Sequence, residues 1–240
     1  MEKVKLYCIP HAGGSAMMYN RWKRYIHPDI ELYPVELAGR GHRINLPLYN
    51  TLNDAVNDVL HIIEPGIEKS NYALIGHSMG SWIVFELYRR IKKMKLREPL
   101  HIFLSGKEAP HIKKEKKIMH RLPDNEFKEE IMKLGGTPKE IFENDELVRT
   151  FLPILKADYR MIETHEYIED GQKFDCPTSF LNGKNDDLEK GDIEGWNIYF
   201  NNLMDVYNFN GGHFFIYENA EKVTEIINVK LTFKGSFGLI

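Results

Sequence analysis

Tyr72-Ala73-Leu74-Ile75-Gly76-His77-Ser78-Met79-Gly80-Ser81-Trp82 opens on four apolar or aromatic residues and closes at the start of an amphipathic run, Trp82–Ile91. The first part reads as a short buried strand, Tyr72–Ile75, and the last as a helix. Between them Gly76 and Gly80 flank Ser78 at equal distances, which gives the pattern G-x-S-x-G. With 18 Gly in 240 residues, that pattern alone arises by chance in roughly one chain in ten. The strand before it and the helix after it supply the context. A sharp strand-to-helix turn exposes the serine hydroxyl above a sheet and needs glycine where the backbone crowds.

Outward from this turn the chain alternates strand and helix signals. Val4–Ile9 reads as a buried strand followed by the turn His11-Ala12-Gly13-Gly14, and Ser15 is placed to cap a helix carrying Met18, Trp22, Tyr25 and Ile26 on one face. Ile30–Leu37 reads as a second strand ending in Ala38-Gly39-Arg40-Gly41. Leu52–Ile67 sets Val56, Val59, Leu60, Ile63 and Ile67 at helical spacing, and Leu100–Leu104 is a further strand. The alternation breaks over about 108–167, where the chain turns helical and charged, and resumes with strands Thr178–Leu181 and Met204–Phe209. Alternating elements predict an α/β fold, a mostly parallel sheet flanked by helices. The expectation is one domain over 1–240, with 108–167 a helical lid at the carboxyl edge of the sheet, where open α/β folds place their ligands.

A serine hydroxyl needs a base. In the α/β-hydrolase order the nucleophile precedes the acid, and histidine comes last. Of the 10 His, only His213, in Gly211-Gly212-His213-Phe214-Phe215, follows the final strand. The acid belongs after Thr178–Leu181, where Asp186 and Asp187 compete. Asp186, 27 positions before His213 (213 − 186), is taken as the acid that holds the imidazole in its productive tautomer; Asp187 stays as the alternative. An oxyanion needs two donors, for which the N–H groups of Met79, after the nucleophile, and Ala12, in the glycine turn after the first strand, are expected. That turn has no Lys at phosphate-loop spacing. No H-E-x-x-H or Cys/His cluster points to a metal, so none is expected.

Bulk properties are consistent with this reading. The chain is 42% hydrophobic and 28% charged, with a net charge of −3, which gives no sign of a nucleic-acid or membrane partner. Cys8 and Cys176 form no C-x-x-C unit and sit in or beside apolar runs, as buried thiols do. The apolar run before Pro10 is too short for a signal or a span, so a cytoplasmic address is expected.

Several motifs together resemble one family. Ile9-Pro10-His11-Ala12-Gly13-Gly14-Ser15-Ala16, Gly76-His77-Ser78-Met79-Gly80, Leu104-Ser105-Gly106-Lys107-Glu108-Ala109-Pro110, Leu134-Gly135-Gly136-Thr137-Pro138, Leu152-Pro153-Ile154-Leu155-Lys156-Ala157-Asp158-Tyr159 and Gly211-Gly212-His213-Phe214-Phe215 occur in the order found in type II thioesterases of nonribosomal peptide and polyketide synthetases. Ala38 stands where that family usually has Pro, and Lys107 and Lys156 where it usually has Arg. The final dozen residues match no family motif. The resemblance implies hydrolysis of acyl groups from the phosphopantetheine thiol of acyl or peptidyl carrier protein domains, clearing misprimed or stalled carriers. It implies no cofactor of the enzyme's own, because 4'-phosphopantetheine arrives on the substrate, and a monomer suffices. The other readings are a small-molecule carboxylesterase, an acyltransferase of the same fold, and a non-catalytic carrier-binding protein that kept the fold. Lys113, Lys114, Lys116 and Lys117 could face an acidic carrier or simply solvate a helix. Met17, Met18 and Met79 could line an acyl pocket or pack in the core.

Overall fold

The computed structural model describes residues 3–114, 117–136, 139–188 and 190–232. The expectations for Lys116, for Thr137-Pro138 and for the last eight residues fall outside these.

Six strands form one sheet: β1 (Val4–Ile9), β2 (Ile30–Pro34), β3 (Tyr72–His77), β4 (Ile102–Ser105), β5 (Thr178–Gly183) and β6 (Asp205–Phe209). Their order is β2-β1-β3-β4-β5-β6, and every neighbouring pair runs parallel. The helices are α1 (Leu52–Ile67), α2 (Met79–Met94), α3 (Asp124–Leu134), α4 (Lys139–Glu143), α5 (Asp145–Glu163), α6 (Lys190–Glu194), α7 (Phe215–Glu218) and α8 (Ala220–Thr232).

Side chains alternate across a strand, so a sheet covered on both faces feeds two cores. Tyr7, Ile9, Leu74, Ile102, Leu104 and Phe180 pack with Val56, Val59, Ile63, Ile83 and Leu87 of α1 and α2. From the same strands, Leu6, Cys8, Ala73, Ile75, Phe103 and Leu181 face the other way, onto Trp22, Phe215, Val223 and Ile227. A third cluster, Phe127, Ile131, Leu152 and Leu155, belongs to α3 and α5, which lie in the stretch between β4 and β5.

The boundaries differ from expectation in several places: β4 runs Ile102–Ser105 in place of the expected Leu100–Leu104, β5 continues to Gly183 and β6 begins at Asp205. The Ser15 hydroxyl does cap a helix, accepting from the Met17 N–H at 3.3 Å, but the element is a 3-10 helix over Ala16–Arg24. Its three-residue period places Tyr19 and Trp22 on one buried face, while Tyr25, at the cap beyond the last turn, is 40% exposed. β2 stops at Pro34; Val35 N–H still reaches the Cys8 carbonyl at 2.9 Å, after which the chain leaves the ladder. β3 and α2 each extend toward Ser78, so the turn between them is a single residue. No helix among the described residues is long and apolar enough to cross a membrane.

Candidate active site

Ser78 joins β3 to α2 with φ 53° and ψ −118°, one of two non-glycine residues at positive φ among those described. Glycine at two flanking positions makes this turn possible. A Cβ on Gly76 would overlap the Gly80 carbonyl, and one on Gly80 would overlap the carbonyl of Ile9 at the end of β1. The helix start is therefore pressed against the end of β1, directly beside the His11-Ala12-Gly13-Gly14 turn. Ser78 N–H donates to the Ser105 carbonyl at 2.7 Å, and Ser81 Oγ accepts from Ser105 N–H at 2.9 Å, which ties the turn to the end of β4.

Asp186 and His213 meet. The ring Nδ1 of His213 lies 3.0 Å from Asp186 Oδ2 and 3.2 Å from Oδ1, so the imidazole donates and the carboxylate accepts. The Asp186 side chain is 6% exposed and His213 25%, whereas Asp187 is exposed and its N–H donates to Asp186 Oδ1 at 2.9 Å. The acid and base loops are drawn together by backbone: Lys184 N–H bonds Phe209 O at 2.9 Å and Asn185 N–H bonds Gly211 O at 3.0 Å. Gly183 permits that approach, since a Cβ there would overlap the Gly212 carbonyl. The other ring nitrogen of His213, Nε2, has no hydrogen-bond partner among the described residues and is available to a hydroxyl or water.

The His77 ring lies 5.2 Å from that of His213 and 6.0 Å from that of His11. A Cβ on Gly106, at φ 60°, would lie 2.8 Å from the His77 ring and 3.5 Å from that of His213. Thus the ends of β3, β4 and β6 and the glycine turn after β1 converge around Ser78. Burial pushes His11 down to about 4 and His77 well below the usual imidazole value, so both are neutral near pH 7. His11 Nδ1 donates to the Ala12 carbonyl at 2.8 Å, which makes Nε2 the acceptor for the Tyr217 hydroxyl at 2.6 Å.

Within the glycine turn, Gly13 N–H donates to Asp158 Oδ2 at 2.8 Å and Gly14 N–H to His11 O at 2.9 Å. Ala12 N–H has no hydrogen-bond partner among the described residues. Met79 N–H, first in α2, is likewise uncommitted, as helix starts leave their first N–H groups.

Other expected residues fall elsewhere. Lys114 pairs with Asp192 and Lys117 with Glu130, so part of the lysine run is already neutralised. Met79 is buried and Met18 packs on a core cluster, while Met17 is 72% exposed. Ala38 N–H donates to the Tyr49 hydroxyl at 3.0 Å, a bond that proline could not make. Lys107 lies 4.5 Å from the Trp82 ring centre and 3.3 Å from Glu108. Lys156 donates to Leu122 O at 2.9 Å and pairs with Asp124, linking α5 to the start of α3.

Arg40, Asp158 and Tyr217 touch the site's backbone or its histidines; Arg40 and Asp158 lie in stretches quoted above, but the sequence assigns none of the three a role. Asp158 left a trace: it continues the spacing of Leu152 and Leu155 on the apolar face of α5, where a lone carboxylate needs a buried partner.

A parallel sheet crossed by a sharp serine turn, with an Asp–His pair on the last two strands, defines the α/β-hydrolase class. Within that class the chain belongs to the thioesterase family, whose model, described as Thioesterase domain, matches residues 4–231. It is 36% identical over 227 residues to the gramicidin S biosynthesis protein GrsT of Aneurinibacillus migulanus, covering 94% of this chain and 88% of that one. The structure of ClbQ from the colibactin NRPS/PKS pathway superposes with a TM-score of 0.90 at 36% identity, over 95% of this chain and 97% of ClbQ. The type II thioesterase BorB from the borrelidin biosynthetic cluster superposes with a TM-score of 0.86 at 30% identity, over 95% and 93%.

Proposed function

We propose that this thioesterase hydrolyses acyl or aminoacyl groups from the phosphopantetheine thiol of acyl and peptidyl carrier protein domains, and so clears misprimed or stalled nonribosomal peptide and polyketide synthetases. The observation that carries the reading is the 3.0 Å hydrogen bond between Asp186 and His213, whose ring lies 5.2 Å from that of His77, the residue before Ser78, in a chain whose relatives serve such pathways.

Ser78 Oγ attacks the thioester carbonyl while its proton passes to His213 Nε2. The resulting oxyanion is held by the N–H groups of Met79 and Ala12. The C–S bond breaks, the departing sulfur takes the proton from His213, and Ser78 is left acylated. Water then attacks with His213 again as base, and the carboxylic acid leaves as Ser78 recovers its proton. Asp186 stays ionised and stabilises the imidazolium in both halves. A thiolate leaves easily, so the acid step demands less than in amide hydrolysis. On this reading 1–240 is one hydrolase domain and 108–167 its lid, acting as a cytoplasmic monomer on carriers that bring the pantetheine arm with them.

The test is hydrolysis of a series of acyl and aminoacyl carrier proteins beside a simple aryl ester, with fluorophosphonate labelling of wild type and Ser78→Ala. We expect higher kcat/KM on the carriers and labelling that vanishes in the variant. Preference for the aryl ester would make the enzyme a carboxylesterase. Acyl transfer to an added alcohol or amine in place of water would make it an acyltransferase.

A further inference from the structure

Arg40 and Asp158 are 4% and 1% exposed and join by two hydrogen bonds, Nη1 to Oδ2 at 2.7 Å and Nη2 to Oδ1 at 2.8 Å. Burying an ion pair carries a desolvation cost that attraction regains only when the remaining donors and acceptors are used. Here they are used on the glycine turn. Asp158 Oδ2 accepts from Gly13 N–H at 2.8 Å, and Arg40 Nη1 donates to Gly14 O at 3.1 Å. From the opposite side His11 Nδ1 donates to Ala12 O at 2.8 Å. The Ala12–Gly13 peptide is therefore gripped at both ends, its C=O by His11 and its N–H by Asp158. The preceding peptide is fixed at its carbonyl by Gly14 N–H, so that of these two peptides' polar groups Ala12 N–H alone has no partner among the described residues. Gly13, at φ 73°, allows α5 to lie against the turn, because a Cβ there would reach 3.2 Å from Phe151 and closer still to Leu155.

We propose that Asp158, together with Arg40, is a positioning residue that aims Ala12 N–H at the oxyanion without touching substrate. Because Asp158 belongs to α5, the electrophilic half of the site is complete only when that helix is seated on the turn. The inference rests on the reading of Ser78 and Ala12 proposed above.

The test compares wild type with Asp158→Asn and Arg40→Lys. Each loses the two-pronged grip while keeping a polar group in place. We expect kcat to fall about 100-fold with KM within about threefold, the pattern of a displaced transition-state donor. An acyl trifluoromethyl ketone, which adds to Ser78 and carries an oxyanion, should bind more weakly by the same factor. A thioether analogue of the substrate, which forms no oxyanion, should bind as to wild type. Folding is followed by circular dichroism, and Arg40→Lys decides the matter if Asp158→Asn does not fold. Folded variants with wild-type kcat and ketone affinity would overturn the inference, as would equal loss of ketone and thioether binding. A wild type that neither turns over nor captures the ketone would instead overturn the proposed function.

Discussion

Ser78 occupies a backbone region that side chains rarely enter, at φ 53° and ψ −118°, and such a residue costs about 1–3 kcal/mol that the surroundings must hold in place. The hydrogen bond from its N–H to Ser105 O and the two crowding glycines do so. The same scale separates the adjacent acids. Asp186 is 6% exposed at its side chain and faces His213 Nδ1; Asp187 is exposed. We predict that Asp186→Asn lowers kcat for thioester hydrolysis by about 10⁴, because amide replaces the acceptor that selects the tautomer, and that Asp187→Asn retains most activity; steady-state kinetics on one carrier substrate checks both. Chain order made Ser78, Asp186 and His213 legible, since each lies where a strand ends. Arg40 and Asp158 lie 118 positions apart, and nothing local to either joins them; only the fold does.

At the scale of elements, the serine turn is a contact among β1, β3, β4 and α2, not a property of the pentapeptide alone. Gly80→Ala would press a methyl into the Ile9 carbonyl, a backbone group that cannot swing aside as a side chain could. We predict a loss of about 3 kcal/mol in unfolding free energy, at the upper end for overpacking, with loss of fluorophosphonate labelling. A Cβ on Gly191, near the start of α6, would meet nothing within 4 Å outside its own helix among the described residues, so Gly191→Ala should be neutral or gain about 0.5–1 kcal/mol. Denaturant titration of the two variants makes the comparison. Periodicity located α1 to the residue because seven of its side chains face the core and Thr51 caps it with a reciprocal bond to Asp54. It failed for the segment after β1, where the 3-10 form answers to the packing of Tyr19 and Trp22, information that a helical repeat does not contain.

For the whole molecule, three imidazoles are held neutral inside the fold. Burial lowers His11 and His101 to about 4 and His77 well below its usual value; His213 adds to the effect on His11 and His77, and Lys230 to that on His101. In the unfolded chain each titrates near 6.5. Between these values the unfolded state binds more protons, so unfolding free energy falls as the pH drops through about 6.5 toward 4, by about 1.4 kcal/mol per pH unit for each histidine at full effect. The lowered carboxylates Asp58 and Glu98 act in the same direction, but their stabilisation is kept above the ordinary carboxylate range and lost only below it. We expect denaturant midpoints to decline from pH 6.5 to 5, and His101→Gln, remote from the serine turn and bonded to Ser179 Oγ at 2.9 Å, to flatten the decline by about one proton's worth. Midpoints constant over that range would contradict the assignment. The parallel architecture was readable from alternating strand and helix signals. The seating of α5 was not, because its own cluster of Phe127, Ile131, Leu152 and Leu155 satisfies its apolar face without specifying what lies beneath.

Cys8 and Cys176, the chain's two cysteines, are both buried, and burial raises Cys8 well above the ordinary thiol value and Cys176 to about 12. On the proposed mechanism a thioester entering this protein meets no thiolate to exchange with. Acyl groups then move from sulfur to oxygen once and never back to sulfur on the enzyme. Material trapped by acid quench is accordingly an oxygen ester of Ser78, which survives neutral hydroxylamine while the carrier's thioester does not, and the two populations can be counted in one sample.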